Sequence, residues 1–259
     1  MRHTWLPEGP AAVRGTVVVL PGRGEHGGVY ERFGRRLAYD AYAVHALDAA
    51  ADGPADSADD HTGTSADLAE TVAKLVADAP GPVVLAGSDT GALRALVLAV
   101  SGVGQISGLI LVGLPGRDRS AEPGHWQHEL EARTACPTHR ARLDDDPDFV
   151  RGALAEPVAA DLLAVLDDPA LTAFPVPALI VHGIDDAVAP ASAASALADR
   201  LPGAELVLAR TPSHDVLNDA IHRTVAAHVV GWLERLRADG GPARQVLAVR
   251  PATEPAAAR

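Results

Sequence analysis

Cysteine and aromatic residues are scarce in this 259-residue sequence, which has one cysteine and 3% aromatics. A single cysteine, Cys136, excludes an internal disulfide and any zinc site built from cysteines, and it is compatible with a reducing, cytoplasmic location. No stretch of 18 apolar residues is present, and the first residues lack the apolar segment of a signal peptide. We therefore expect neither a membrane span nor a secretion signal.

Positive charge is also scarce. The formal net charge is -12, and Lys74 is the only lysine. A nucleic acid or an anionic membrane surface requires clustered basic residues, so we expect neither as a partner. Hydrophobic residues nevertheless make up 47% of the chain, which is enough to build the core of an α/β domain.

Short β-branched runs alternate with helical patterns in the first part of the chain. The predicted strands are 16–20, 42–47, 83–88 and 109–114. The helices predicted between them lie at 29–39, at 66–79 and after residue 92. Such βα alternation is typical of an α/β fold with a mostly parallel, doubly wound sheet.

The alternation stops after residue 114. From 115 to 175 the pattern predicts four helical pieces and no strand: 125–135, 139–143, 148–154 and 158–166. It then resumes with strands at 178–183 and 205–209 and helices at 192–201 and 216–237. We therefore predict a core of residues 1–114 and 176–238, a helical cap of 115–175 inserted after the strand at 108–114, and a mostly disordered tail, 239–259.

The third predicted strand runs directly into a helix through a sharp turn. A nucleophile elbow needs small residues two places before and two places after the residue that projects from it. Gly87 and Gly91 meet this requirement around Asp89, whereas a turn centred on Ser88 would put the β-branched Thr90 where a small residue is needed. The spacing favours Asp89 as a carboxylate nucleophile. The alternative is an ordinary turn in which Ser88 or Asp89 caps the helix.

Two later strand ends also carry ionisable residues, namely Asp185-Asp186 and His214. The carboxyl ends of parallel strands meet at one edge of the sheet, so we expect Asp89, Asp186 and His214 to converge. Asp89 would attack the substrate, His214 would activate water, and Asp186 would orient the imidazole. Asp118, which follows the preceding strand, is an alternative acid.

In this order the motifs resemble the α/β-hydrolase superfamily, over residues 14–237. The loop that begins Pro21-Gly22-Arg23-Gly24-Glu25-His26 and the segment Ser213-His214-Asp215-Val216-Leu217-Asn218 are similar to the monoacylglycerol-lipase or lysophospholipase-like branch. The resemblance implies that the acid is Asp186 rather than Asp185. It also implies an oxyanion hole formed by the backbone N–H groups of Arg23 and Thr90.

An aspartate at the nucleophile position is instead similar to the epoxide hydrolases and haloalkane dehalogenases. A carboxylate attacks a tetrahedral carbon to give an alkyl ester, here on Asp89, which His-activated water then hydrolyses. This resemblance implies a small or medium apolar substrate and neither a cofactor nor a metal. The predicted cap lacks the tyrosine donor that epoxide hydrolases usually have there, so His125 and Trp126 are the candidate cap donors. We expect epoxide opening rather than halide displacement, because no halide-binding pair is visible.

Two further interpretations stay open. The segment 22–27 has the spacing of a dinucleotide-binding fingerprint, with Asp48 at the end of the next strand. Alternatively, the lipase-like scaffold is repurposed as a lyase, a cyclase or a non-catalytic binding protein. We expect His26 and His182 to be structural.

Overall fold

The computed structural model describes residues 1–9, 12–48, 65–118 and 124–239. Seven strands form one sheet in these ranges: β1 (Arg2–Trp5), β2 (Gly15–Leu20), β3 (Tyr42–Leu47), β4 (Val83–Ser88), β5 (Gly108–Val112), β6 (Ala178–Gly183) and β7 (Glu205–Ala209). Their order across the sheet is β1-β3-β2-β4-β5-β6-β7. Only β1 is antiparallel to its neighbour. The predicted mostly parallel, doubly wound sheet is confirmed.

Helices cover both faces of the sheet. Those in the described residues are α1 (Glu31–Tyr39), α2 (Ser65–Ala77), α3 (Thr90–Val100), α4 (Trp126–Arg133), α5 (Pro137–Asp144), α6 (Ala160–Ala164), α7 (Ala191–Arg200) and α8 (His222–Asp239). Successive strand residues point to opposite faces. Val17 and Val19 of β2 therefore belong to the core that includes Trp232 of α8, while Val18 belongs to the core that includes Leu93 of α3.

The segment 115–175 differs in part from the sequence prediction. Its described residues form α4, α5, the short α6 and several 3-10 turns, without a strand. The predicted helix at 148–154 is wrong, because only Ala153–Ala155 is helical, as a 3-10 turn. The Asp146 side chain accepts the Asp148 backbone N–H, and Gly152 adopts a left-handed φ of 85°; both features interrupt an α-helix.

The last helix begins at His222 rather than at the predicted residue 216. The backbone N–H groups of His214 and Asp215 instead donate to the carbonyls of Ala132 and Arg133 at the end of α4. These contacts hold the loop after β7 in a non-helical path. The loop that carries His214 is therefore hydrogen-bonded to the segment 115–175.

Within the described ranges, no helix combines the length and the apolar character needed to cross a membrane. Apart from its first residue, the tail predicted at 239–259 lies outside the described residues.

Candidate active site

Asp89 occupies the turn between β4 and α3. Its backbone angles, φ 50° and ψ -125°, are strained for a residue other than glycine. A Cβ on Gly87 would lie 2.1 Å from the Gly91 carbonyl oxygen, and one on Gly91 would lie 2.1 Å from the Leu20 carbonyl oxygen. The two glycines are therefore required for a turn centred on Asp89, as their spacing predicts. Ser88, in contrast, ends the strand and is buried.

Replacing Gly91 by alanine is expected to lower the free energy of unfolding by about 3 kcal/mol or more, because a backbone oxygen cannot move aside as a side chain can. Gly102 provides a matched control, since it has a φ of 73° and nothing lies within 4 Å of a built Cβ. Gly102→Ala should cost only about 1–2 kcal/mol of left-handed strain. Urea unfolding of the two variants measures the difference. Equal losses would mean that the elbow is less tightly packed than described.

The structure brings Asp89, His214 and Asp186 together. His214 Nδ1 is 2.8 Å from Asp186 Oδ2, and His214 Nε2 is 3.3 Å from Asp89 Oδ1. Two backbone N–H groups hold the other Asp186 oxygen, and all three side chains are buried. Asp185 and Asp118 are exposed, so neither takes the place beside His214. The arrangement has the geometry of a nucleophile, a histidine and its acid partner.

Buried charges determine the protonation of this group. Burial opposes ionisation of Asp89, yet the Arg23 guanidinium and His214 hold the pKa of Asp89 well below its usual range. Burial would likewise lower the pKa of His214, but the carboxylates of Asp186 and Asp89 raise it to about 10. At neutral pH His214 is therefore an imidazolium, which can donate a proton before it can accept one.

Arg23 contacts Asp89 through both its backbone and its side chain. Its backbone N–H donates to Asp89 Oδ2 at 2.9 Å, and its guanidinium donates to both carboxylate oxygens, each at 2.8 Å. The side chain is 5% exposed. The sequence suggested only the backbone role, since nothing in a glycine-rich loop indicates where an arginine side chain will turn. Thr90 is the buried first residue of α3, and its role as the second oxyanion donor stays a prediction.

A second buried arginine supports the Arg23 loop. Arg133 of α4 donates to the Arg23 carbonyl oxygen at 2.8 Å and to Glu129 at 2.7 Å, and it lies 3.5 Å from Glu25. Glu25 in turn accepts the Gly22 backbone N–H at 2.9 Å. Sequence reasoning missed this network, although the four-residue spacing of Glu129 and Arg133 was a signal for an ion pair. Such pairs are usually solvent-exposed, whereas this one is buried.

The two residues proposed as cap donors have other surroundings. His125 is exposed and packs on His128, with the ring centroids 3.7 Å apart. Trp126 donates its indole N–H to Asp144 at 2.6 Å. The structure does not bring either residue to Asp89, and we do not assign them the donor role. The helix was located correctly, but its buried face carries Arg133 instead.

A cavity of about 110 Å³ borders Arg23, and most of its wall is apolar. Its lining includes Pro115, Pro157, Val158, Leu163 and Val188. An adjoining cleft of about 380 Å³ shares the residues 116–118 with it. A larger cleft, of about 540 Å³, lies against β1 and α1. None of these three cavities is lined by Asp89, Asp186 or His214. Because Arg23 lines the small cavity and also contacts Asp89, we take this cavity as the better candidate for substrate.

The dinucleotide-binding interpretation of residues 22–27 is wrong. A Cβ on Gly22 would meet the Asp89 side chain at 2.8 Å, and one on Gly24 would meet the Val150 carbonyl oxygen at 2.4 Å. The space that these glycines leave is therefore filled by protein, whereas a pyrophosphate requires an open backbone. Asp48 also accepts the Gly27 backbone N–H instead of facing outward toward a ribose.

Comparison with known proteins gives a family match over most of the chain. The family described as "Serine aminopeptidase, S33" matches residues 11–221. A search of curated proteins finds no match.

Solved structures share the fold at low sequence identity. The monoacylglycerol lipase of Paleococcus ferrophilus superposes with a TM-score of 0.72 at 18% identity, covering 90% of this chain and 97% of that one. A soluble variant of the Saccharomyces cerevisiae monoglyceride lipase, solved with a substrate analogue, gives a TM-score of 0.72 at 21% identity, covering 91% of each chain. A thermophilic esterase from Thermogutta terrifontis gives 0.65 at 19% identity, covering 92% of this chain and 93% of that one. The chain therefore has the α/β-hydrolase fold.

Proposed function

Because this chain belongs to the family described as "Serine aminopeptidase, S33" and carries Asp89 at the elbow, we propose that it is a hydrolase acting through an ester on Asp89. The substrate is a small or medium apolar epoxide, bound beneath a cap formed by residues 115–175. No cofactor or metal takes part.

One observation carries this proposal: the two oxygens of Asp89 are held differently. Oδ2 accepts the Arg23 backbone N–H, while Oδ1 faces His214 Nε2. Attack by Oδ1 would leave Oδ2 as the carbonyl oxygen of the ester, already at a donor that stabilises the oxyanion formed when water attacks. A carboxylate that only capped a helix would not need this division.

The charge on His214 fits epoxide opening. As Oδ1 of Asp89 attacks the epoxide carbon, the C–O bond of the ring breaks and the freed oxygen takes a proton from the His214 imidazolium. Halide displacement needs no such proton, so the raised pKa of His214 favours the epoxide. No donor from the cap is then required.

The ester itself prepares the second step. Esterification removes the negative charge of Asp89, one of the two charges that raise the pKa of His214. The now neutral His214 takes a proton from water, whose oxygen attacks the ester carbonyl carbon. His214 returns that proton to the departing alkoxide. The Asp89 carboxylic acid then loses its proton to His214, which restores the starting charges and leaves a diol.

Arg23 favours a second candidate function. Its guanidinium covers both Asp89 oxygens, and Asp89 is only 2% exposed. A carboxylate paired in this way is a weak nucleophile until the arginine moves. The second candidate is therefore a repurposed site: a lyase, a cyclase or a protein that binds a ligand without hydrolysing it.

Turnover in H₂¹⁸O tests the first candidate without assuming a proton donor. We expect a panel of small epoxides to give diols and the peptide containing Asp89 to gain ¹⁸O, because solvent oxygen enters the carboxylate when the ester is hydrolysed. Alkyl halides and carboxylic esters serve as comparison panels. With enzyme in excess, the first diol formed should carry unlabelled oxygen from Asp89.

Three outcomes would contradict the proposal. Diol labelled fully in the first turnover would mean direct attack by water. If Asp89 gains ¹⁸O only with alkyl halides, the substrate class is alkyl halides rather than epoxides. Ligand-induced rises in Tm without turnover on any panel would favour the repurposed site.

A further inference from the structure

Two histidines and an aspartate meet outside the active site. His3 lies on β1, His26 lies in the loop that carries Arg23, and Asp48 follows β3 directly. One ligand atom from each lies within 4.8 Å of the others. From this cluster we infer that the protein binds a divalent transition-metal ion of the Zn²⁺ type through His3, His26 and Asp48.

The spacing suits such an ion. His3 Nε2 is 3.4 Å from Asp48 Oδ1. Zinc binds nitrogen and oxygen at about 2.0–2.2 Å in a tetrahedral arrangement, which puts neighbouring ligands roughly 3.4 Å apart. Two imidazoles and a carboxylate are ligands typical of zinc and its neighbours, not of magnesium or calcium. The fourth position would be filled by water, since the three side chains are 20–35% exposed.

Two consecutive glycines give the imidazole rings room to approach one another. A Cβ on Gly27 would lie 2.9 Å from His3 Cδ2. One on Gly28 would lie 2.9 Å from His26 Nδ1 and 3.1 Å from His3 Cε1. Both rings therefore face one small volume that a side chain at either position would fill.

Neighbouring groups orient the ligands. The Gly27 backbone N–H donates to Asp48 Oδ1 at 3.0 Å, and Asp146 Oδ2 lies 2.9 Å from His26 Nε2. Binding through His26 Nδ1 would replace the 3.1 Å hydrogen bond by which this atom accepts the Gly28 backbone N–H and caps the turn Gly27–Tyr30. Asp146 would then be the outer partner that fixes the ring. Binding through Nε2 would instead make Asp146 a further oxygen ligand.

The ion would join three segments that are distant in sequence. An exposed histidine–aspartate pair adds little stability alone, whereas an ion bound only by the native fold stabilises it by mass action. His26 is three residues from Arg23, so the same ion would anchor the loop that carries the oxyanion N–H. This inference does not depend on the proposed reaction.

Calorimetry and thermal unfolding of the metal-free protein, prepared without a histidine tag, test the site with Zn²⁺ and Co²⁺ alone. We expect Zn²⁺ to bind one-to-one and to raise Tm. Bound Co²⁺ should give the visible absorption bands that are typical of low-symmetry coordination. His3→Gln, His26→Gln and Asp48→Asn should each weaken binding by about tenfold or more. Asp48→Asn keeps an acceptor for Gly27, so its fold should survive.

The exposed pair His125 and His128 supplies the matched control. The double variant His125→Gln/His128→Gln should bind Zn²⁺ like the wild type. The inference fails if wild-type protein shows no binding at about 1 mM Zn²⁺, a concentration far above the Kd expected of a site with preformed ligands. It also fails if the control variant loses binding, or if His26→Gln or Asp48→Asn binds as tightly as the wild type.

Discussion

Asp89→Asn is expected to abolish turnover, by at least about 10⁴-fold, because the amide cannot form the ester intermediate. The same substitution should lower the free energy of unfolding by about 3 kcal/mol, since it leaves the Arg23 guanidinium buried without its counter-ion. Substitution of a nucleophile often leaves the free energy of unfolding unchanged. A combined loss of turnover and stability would therefore be specific to this site. Steady-state kinetics and urea unfolding measure the two effects.

Two variants separate the causes. Asp185→Asn, at the exposed neighbour of Asp186, should change stability by no more than about 0.5 kcal/mol. Arg23→Met in the Asp89→Asn background removes the uncompensated charge and should restore part of the lost stability, as a double-mutant cycle would reveal. Full activity of Asp89→Asn would refute the nucleophile. Unchanged stability would show that Arg23 is not held by Asp89.

The second large effect is a dependence of stability on pH that comes from His214. The folded pKa of His214 is about 10, raised above the ordinary 6.5. A raised pKa contributes stability that is fully present below about pH 6.5 and is lost as the pH rises through 10. The shift corresponds to on the order of 5 kcal/mol. Unfolding free energies measured at pH 6, 8 and 10 should therefore fall more steeply for wild type than for His214→Gln.

Other groups limit the pH range of this test. The lowered pKa values of Asp89 and Asp186 contribute stability that is present above about pH 4 and is lost only in more acidic solution. Above pH 6 this contribution is constant, so it adds nothing to the change of stability with pH. His228, an exposed residue of α8, provides the control, and His228→Gln should keep the wild-type pH dependence. Parallel curves for wild type and His214→Gln would contradict the assigned imidazolium.

The sequence alone located the sharp turn at Asp89 and the strand ends that carry Asp186 and His214, which the structure brings together. Glycine spacing distinguishes Asp89 from Ser88 because a Cβ two places away on either side meets a backbone oxygen. For Gly87 that oxygen lies in the same turn, whereas for Gly91 it belongs to Leu20 of β2. The predicted strand ends likewise indicated that Asp186 and His214 would meet, since parallel strands bring their carboxyl ends to one edge of the sheet. The mostly parallel fold followed from the alternation of short apolar runs with helical patterns.

Sequence pattern failed where the outcome depended on contacts between distant segments. β1 alternates exposed and partly buried residues, but its sequence Arg-His-Thr-Trp has a single apolar side chain and so shows no hydrophobic pattern; it exists because it pairs with β3. The helix predicted from residue 216 starts later because the end of α4 binds the backbone of the His214 loop. Helical propensity was present, but hydrogen bonds to another element outweighed it.

The sequence by itself determined the sheet, the elbow at Asp89 and the order of the ionisable strand ends, because each depends on neighbours in the chain or on a simple rule of strand direction. Only the tertiary structure decided that Arg23 binds Asp89, that the buried Arg133 donates to the Arg23 carbonyl, and that Trp126 donates to Asp144. The charged end of a long side chain can lie far from its own backbone and in several directions. Their partners depend on which desolvated charge lies nearest in space, and no local pattern records that.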